Sequence, residues 1–156
     1  MKEIKLSQCK IVLVDDENYD YLNQFKWYAV KHHNTYYAAR QIRLDNGKQK
    51  TILMHRTIMN TPIDKEVDHI DHNGLNCLES NMRNCTHSEN KMNVIPCGTV
   101  KYLGVDVNHG KFRAAIKVKG KCIHIGLFKN KEDAAKAYDI KAKYYHGEFA
   151  NLNFKS

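Results

Sequence analysis

An aspartate and a histidine stand side by side at Asp68-His69, inside a run that reads "DKEVDHIDHNGLNCLESNMRNCTHSENKMNV" over residues 64–94. Hydrolysis of a phosphodiester needs a positioned base to activate water. It also needs something to stabilise charge on the phosphate and the leaving oxygen, commonly a divalent metal held by oxygen ligands. Asp68 offers the oxygen and His69 the base. Neighbouring residues on an extended strand point to opposite faces, so His69 reaches an attacking water only where the strand end bends or the metal sits beyond its tip. Asn90, on a following helix, would complete the clamp with a second oxygen. The run is dense in Asp, His and Asn and too poor in apolar residues for a conventional core, a composition that suits a site better than a scaffold.

The elements that must carry these residues can be read around them. Thr86-His87-Ser88-Glu89 fits a capping box, in which the Thr hydroxyl and the Glu carboxylate reciprocally satisfy backbone donors, so a helix starts there with Asn90 in its first turn. Upstream, residues 10–14, 27–30, 36–44 and 50–54 read as short strands, with Asn46-Gly47 as a tight hairpin turn between the last two. The aromatic residues of this part, including Tyr36 and Tyr37, read as packing of a small sheet. Pro96 and Gly98 interrupt the pattern, and a different module follows. In it Phe112, Ala114, Ile116 and Val118 alternate with Arg113, Ala115, Lys117 and Lys119, which predicts a strand with one core face and one cationic face. Gly120-Lys121 reads as the turn into residues 122–128. Asn130 with Asp133 starts a helix whose apolar stripe is Ala135, Tyr138, Ala142 and Tyr145, and Gly147 ends it. The expected class is α+β: a unit at 1–96 that carries the polar run among short strands, then three antiparallel strands backed by one helix at 97–156.

Charge separates the same two modules. The 156 residues carry a net +8, and residues 100–156 hold 12 Lys+Arg against 5 Asp+Glu, whereas residues 1–99 hold 13 against 12. A near-neutral unit followed by a strongly basic one points to chemistry in the first and affinity for an anionic polymer in the second. The exposed cations Arg113, Lys117, Lys119 and Lys121 are the candidate phosphate contacts. Cys9, Cys77, Cys85, Cys97 and Cys122 are odd in number and contain no C-x-x-C pair, which argues against a disulfide framework and a closed zinc site. No stretch approaches the length of a membrane span. The expected setting is the cytoplasm.

The run "MHRTIM…VDHIDHNGLNCLESNMRNCTHSEN" resembles the HNH endonucleases found in phage and as intron-encoded homing nucleases, with the motif core at residues 50–94. The resemblance implies a ββα-metal fold in which a β-hairpin and a helix pinch one metal ion. Residue by residue it implies that Asp68 and Asn90 bind the metal, that His69 is the general base, and that Asn81 stabilises the loop and helps orient that base through a backbone carbonyl. His55 matches a histidine that often precedes the motif and is an accessory candidate. His72 stands where relatives often have Gly, Asp71 could assist the metal or hold the loop, with the loop favoured, and Met82 replaces the family's Leu. An all-oxygen pair suits Mg²⁺ or Mn²⁺ better than Zn²⁺.

Residues 102–154 resemble the DNA-binding domain of the ethylene-response-factor, or apetala-two, transcription factors. The resemblance rests on Tyr102, Gly104-Val105, Ile125-Gly126, Phe128, Ala134-Ala135, Ala137-Tyr138-Asp139 and Asn151-Leu152-Asn153-Phe154. It implies a three-stranded sheet that enters the major groove of double-stranded DNA. Leu103, Asp106, Phe112, Ala115 and His124 stand where plant members place other residue types, so their sequence preference does not transfer. The reading is therefore a metal-dependent HNH endonuclease, homing or nicking. One site per chain implies that a monomer nicks one strand and that two nicks need a dimer or a second event. The rival is a non-catalytic DNA-binding regulator with a degenerate nuclease fold. RNA binding is disfavoured because the cationic face lacks exposed aromatic residues for base stacking.

Overall fold

Short alternating runs broken by turn residues build several small sheets here instead of one large one. The computed structural model describes residues 1–96 and 100–154, and the chain is a mixed α+β protein that divides into two compact units, Met1–His87 and Ser88–Ser156. The boundary expected at residue 97, with Cys97 and Gly98, lies outside the described residues.

In the first unit, strands β1 (Lys2–Lys5) and β2 (Ile11–Val14) pair antiparallel, and the two-residue β7 (Asn76–Cys77) joins β2 in parallel. Strands β3 (Tyr28–His32), β4 (Thr35–Arg43) and β5 (Gln49–Leu53) form an antiparallel sheet in that order, with Asn46-Gly47 in the β4–β5 turn as expected. Strands β6 (Glu66–His69) and β8 (Met82–Cys85) make an antiparallel ribbon. Helix α1 (Asp16–Leu22) was not legible, because it buries only Leu22 and so shows no apolar period. Helix α2 (Met54–Ile58) leads out of β5, and α3 (His87–Asn90) follows β8.

The core joins Ile4, Val12, Val14, Leu22, Trp27, Ala38 and Met54 to Val67, Cys77 and Met82. The expectation that residues 64–94 lack a core is thus corrected. Their apolar residues are few, but these three are buried in the main cluster. The Trp27 indole N–H donates to the Leu22 carbonyl at 2.8 Å, which satisfies the one polar atom of that buried ring.

In the second unit β9 (Val105–Asn108), β10 (Lys111–Val118) and β11 (Lys121–Phe128) form an antiparallel sheet with β10 central, packed on helix α4 (Lys131–His146). Ala114 and Ile116 are buried towards the helix, which buries Ala134, Ala135, Tyr138 and Ala142 in return. Tyr145, expected on that stripe, is exposed; His146 is buried instead and its Nε2 lies 3.2 Å from the Lys117 carbonyl. The turn is also shifted by one residue. Lys119 and Gly120 both take positive φ (48° and 81°), the conformation a tight hairpin turn demands, and Val118 pairs with Lys121. Lys119 therefore sits at the hairpin tip, and Lys121 shares the side of Val118, not that of Lys117.

A buried aspartate ties the end of this unit to its start. Asp139 accepts from the backbone N–H groups of Asn153 (2.9 Å) and Phe154 (2.9 Å), while the Asn153 side chain bonds both backbone polar groups of Leu103. Among the described residues no helix is long and apolar enough to cross a membrane.

Gly104 has φ +66°, and a Cβ there would lie 2.0 Å from the Tyr138 ring and 2.6 Å from the Ala115 carbonyl oxygen. Left-handed strain and overpacking each cost about 1–3 kcal/mol, so Gly104→Ala is expected to destabilise this unit by roughly 3 kcal/mol. Urea unfolding of the full chain measures it, and a loss under about 1 kcal/mol would show that the Tyr138 ring yields freely.

Candidate active site

Strand β6 presents Asp68 and His69 at its end, and the β6–β8 register sets Asp68 opposite Arg83 and His69 opposite Met82. Arg83 donates to Asp68 Oδ2 from both Nε (2.9 Å) and Nη2 (2.6 Å). Asp68 is only 4% exposed, and this fork of charge-assisted bonds is what allows a carboxylate to be buried there. Sequence reasoning passed over Arg83. Its signal was present: an antiparallel pair through these residues places an arginine directly across from the aspartate.

Beyond His69 the chain turns at once. The His72 N–H donates to the His69 carbonyl at 2.9 Å, and His72 itself has φ +63°, a conformation that favours glycine. The bend required for His69 to leave the strand plane is therefore built in.

Asn81 holds the loop that follows. Its Oδ1 accepts from the Asp71 N–H (3.1 Å), and its Nδ2 donates to Asp71 Oδ1 (2.9 Å) and to the Asn76 carbonyl (2.9 Å). Its own carbonyl accepts from the N–H of Ile70, the residue next to His69, at 2.9 Å. Asp71 also accepts from Asn73 N–H (2.8 Å) and Asn76 Nδ2 (2.7 Å), so it braces the loop. Burial alone would raise the Asp71 carboxyl, but its bonds to Asn76, Asn73 and Asn81, with the nearby His69, bring it below the ordinary carboxylate value.

Two rings close around His69. The His69 ring centroid lies 5.2 Å from that of His55 on α2, edge to face, and 5.6 Å from that of Tyr37 on β4; Tyr37 and His55 are 4.9 Å apart. His55 is 6% exposed, and its Nδ1 is buried with no hydrogen-bond partner among the described residues. Burial, then His69 and Arg56, push His55 down to about 3. Burial likewise lowers His69, against a smaller upward pull from Asp71 and Asp68. A neutral imidazole beside a buried carboxylate is equipped to take a proton from water at neutral pH.

Among the described residues no three His, Cys, Asp or Glu side chains group as a cage for a metal. Of the two ligands expected, Asp68 offers a carboxylate and Asn90 an amide oxygen, donors that by type suit a hard cation such as Mg²⁺ better than zinc. Asn90 is the last residue of α3 and belongs to the second unit. His87, at the start of α3, pairs with Glu66 at 2.8 Å on the surface.

On the second unit's sheet, Arg113 and Lys117 share the outward side of β10, but Arg113 is engaged by Asp106 through Nη2 at 2.6 Å and Nε at 3.0 Å. Lys117, Lys119 and Lys121 are exposed, the last two at the β10–β11 tip.

No family model matches the chain. It is 31% identical over 139 residues to an uncharacterized HNH endonuclease of Acanthamoeba polyphaga mimivirus, a similarity that covers 85% of this chain and 68% of the relative.

The depressed His55 value has a consequence for stability. Below pH 6.5 the unfolded chain takes up a proton at this histidine that the folded chain refuses until about pH 3, so folding stability falls as pH drops through that window. The slope from this group reaches about 1.4 kcal/mol per pH unit. His55→Gln, which does not titrate, is expected to flatten the acid limb between pH 6 and 4 in urea unfolding; an unchanged slope would mean that His55 is charged in the folded state.

Proposed function

The chain belongs to the HNH endonuclease family, and on that premise we propose that it is a metal-dependent enzyme that binds duplex DNA and hydrolyses phosphodiester bonds, in a homing or nicking role. The observation that carries this reading is the pairing of a buried neutral imidazole with a buried carboxylate at a bent strand end: His69 beside Asp68, with Asn81 bracing the loop. On this reading β6, β8 and α3 are the hairpin and helix of a ββα-metal site.

His69 removes the proton from the attacking water, and burial keeps its lone pair available at neutral pH. Asp68, with Asn90 as the second ligand that the family resemblance implies, would hold Mg²⁺ or Mn²⁺, and the ion would supply stabilisation of charge on the scissile phosphate and the departing 3′ oxygen. Asn81 positions His69 through the Ile70 N–H and the loop, and His55 packs against it as an accessory ring. One such site per chain cuts one strand per binding event. The three-stranded sheet on α4, with the Asp139 and Asn153 bonds joining its resemblance-bearing residues, supports an apetala-two-like role for the second unit as the DNA anchor. The Asp68–Arg83 ion pair favours the alternative of a non-catalytic DNA-binding regulator, because it already satisfies part of the carboxylate.

A supercoiled-plasmid nicking assay separates the two. With Mg²⁺ or Mn²⁺ the wild type is expected to nick and EDTA to stop it, while His69→Ala loses about 10³-fold in rate with DNA affinity unchanged. Asp68→Ala and Asn90→Ala are expected to raise the metal concentration required. Undiminished cutting in chelator would remove both ligands, and undiminished cutting by His69→Ala would remove the base.

DNA anchoring is tested on the full chain by replacing Lys117, Lys119 and Lys121 together with Gln. Each lost phosphate contact lowers the log–log salt slope of binding by about 0.9. A decrease of roughly 2 to 3 is expected, and an unchanged slope would place the anchor elsewhere.

A further inference from the structure

We infer that Tyr37 is a positioning residue for the reaction proposed above, its ring fixing the orientation of the His69 imidazole; the inference rests on that reading. Tyr37 lies on β4, outside the motif at residues 50–94, yet its ring touches both histidines of the site. The centroid separations of 4.9, 5.2 and 5.6 Å close a triangle from three different elements, β4, α2 and β6. His69 sits where the strand ends and the chain bends, so β-pairing alone does not set its side-chain torsions. Ring contacts on two sides do.

The Tyr37 ring is itself held from the loop. A Cβ on Gly74 would lie 2.4 Å from Tyr37 Cε1 and 2.6 Å from the Tyr36 carbonyl oxygen, so the bare backbone of the loop lies flat against the ring. The Gly74 N–H donates to the Thr35 hydroxyl at 2.8 Å, clamping the loop to β4 two residues from Tyr37. The loop is fixed in turn by Asn81 through Asp71 and Asn76. Asn81 thus reaches the base by two routes: directly through Ile70, and around the loop through Gly74 and Tyr37. The ring does the positioning in the second route, so the hydroxyl is dispensable. Gly74 is required for close approach, because any side chain there displaces the ring.

The test compares Tyr37→Phe, Tyr37→Leu and Gly74→Ala in the full chain, with Val12→Ala as a core variant of reduced stability whose side chain is not one of the three clustered rings. Single-turnover nicking with Mg²⁺ and DNA affinity are measured for each. The His69 side-chain torsion is followed by NMR three-bond couplings and by its ring contacts to His55 without metal, with the His69 signals assigned by their loss in His69→Ala. A misplaced base loses rate without losing binding. Tyr37→Phe is expected to stay within about twofold of wild type in rate and to keep the His69 torsion. Tyr37→Leu and Gly74→Ala are expected to lose roughly tenfold to a hundredfold in rate with affinity within twofold, and to change or average the His69 torsion. Val12→Ala should do neither. If Tyr37→Leu does not fold, Tyr37→Met is judged by the same two readouts. A folded Leu or Met variant with wild-type rate, or with the His69 torsion unchanged, overturns the inference. A wild type that does not nick overturns the nuclease reading instead, and the NMR comparison still decides whether Tyr37 orients His69.

Discussion

The bonds made by one asparagine hold the site together. Asn81 uses its side-chain carbonyl, its side-chain amide and its main-chain carbonyl at once, engaging Asp71, Asn76 and Ile70. A loop of polar residues has few apolar contacts to define it, so its geometry must come from hydrogen bonds, and a network defines one geometry only when its members are satisfied. Asp71 supplies the matching acceptors and is kept ionised by the donors around it. Hydrophobic burial begins on the far side of this network, with Cys77 and Met82 entering the core.

The chemistry of the site follows from the depth at which that network holds it. Burial lowers His55 and His69 and raises Tyr37, so the three rings form an uncharged wall, while the Asp68 charge is answered by Arg83. The first unit therefore holds an arginine-paired carboxylate and an uncharged imidazole at one buried strand end. Positive charge that reaches outward is concentrated in the second unit, at Lys117 and the β10–β11 tip.

Much of this was legible in the residues. Strands β2 to β5, the three-stranded sheet backed by a helix, and the Asn46-Gly47 turn followed from alternation and turn chemistry, and the loop role favoured for Asp71 from motif spacing. What escaped did so for definable reasons. Helix α1 offers no apolar stripe, and Arg83 acquires its meaning only from the β6–β8 register. Tyr37 reads as ordinary sheet packing until α2 and β6 are folded against it. The cationic row was drawn too long because a turn shifted by one residue moves Lys119 to the tip and Lys121 to the other side. Register and tertiary contact are the two properties that local pattern does not encode.

The parallel pairing of β7 with β2 bears on how the protein is made. Leu13 and Val14 take as partners Asn76 and Cys77, and the Leu13 N–H bonds the Leu75 carbonyl at 2.9 Å. A chain emerging from the ribosome holds β1 and β2 ready early, but their third strand appears some sixty residues later, and such distant pairing is intrinsically slow to form. The edge of β2 stays open in the meantime, a site at which nascent chains can pair wrongly. That edge finds its native partner only at β7, so the N-terminal sheet is not complete until most of the first unit has been synthesised.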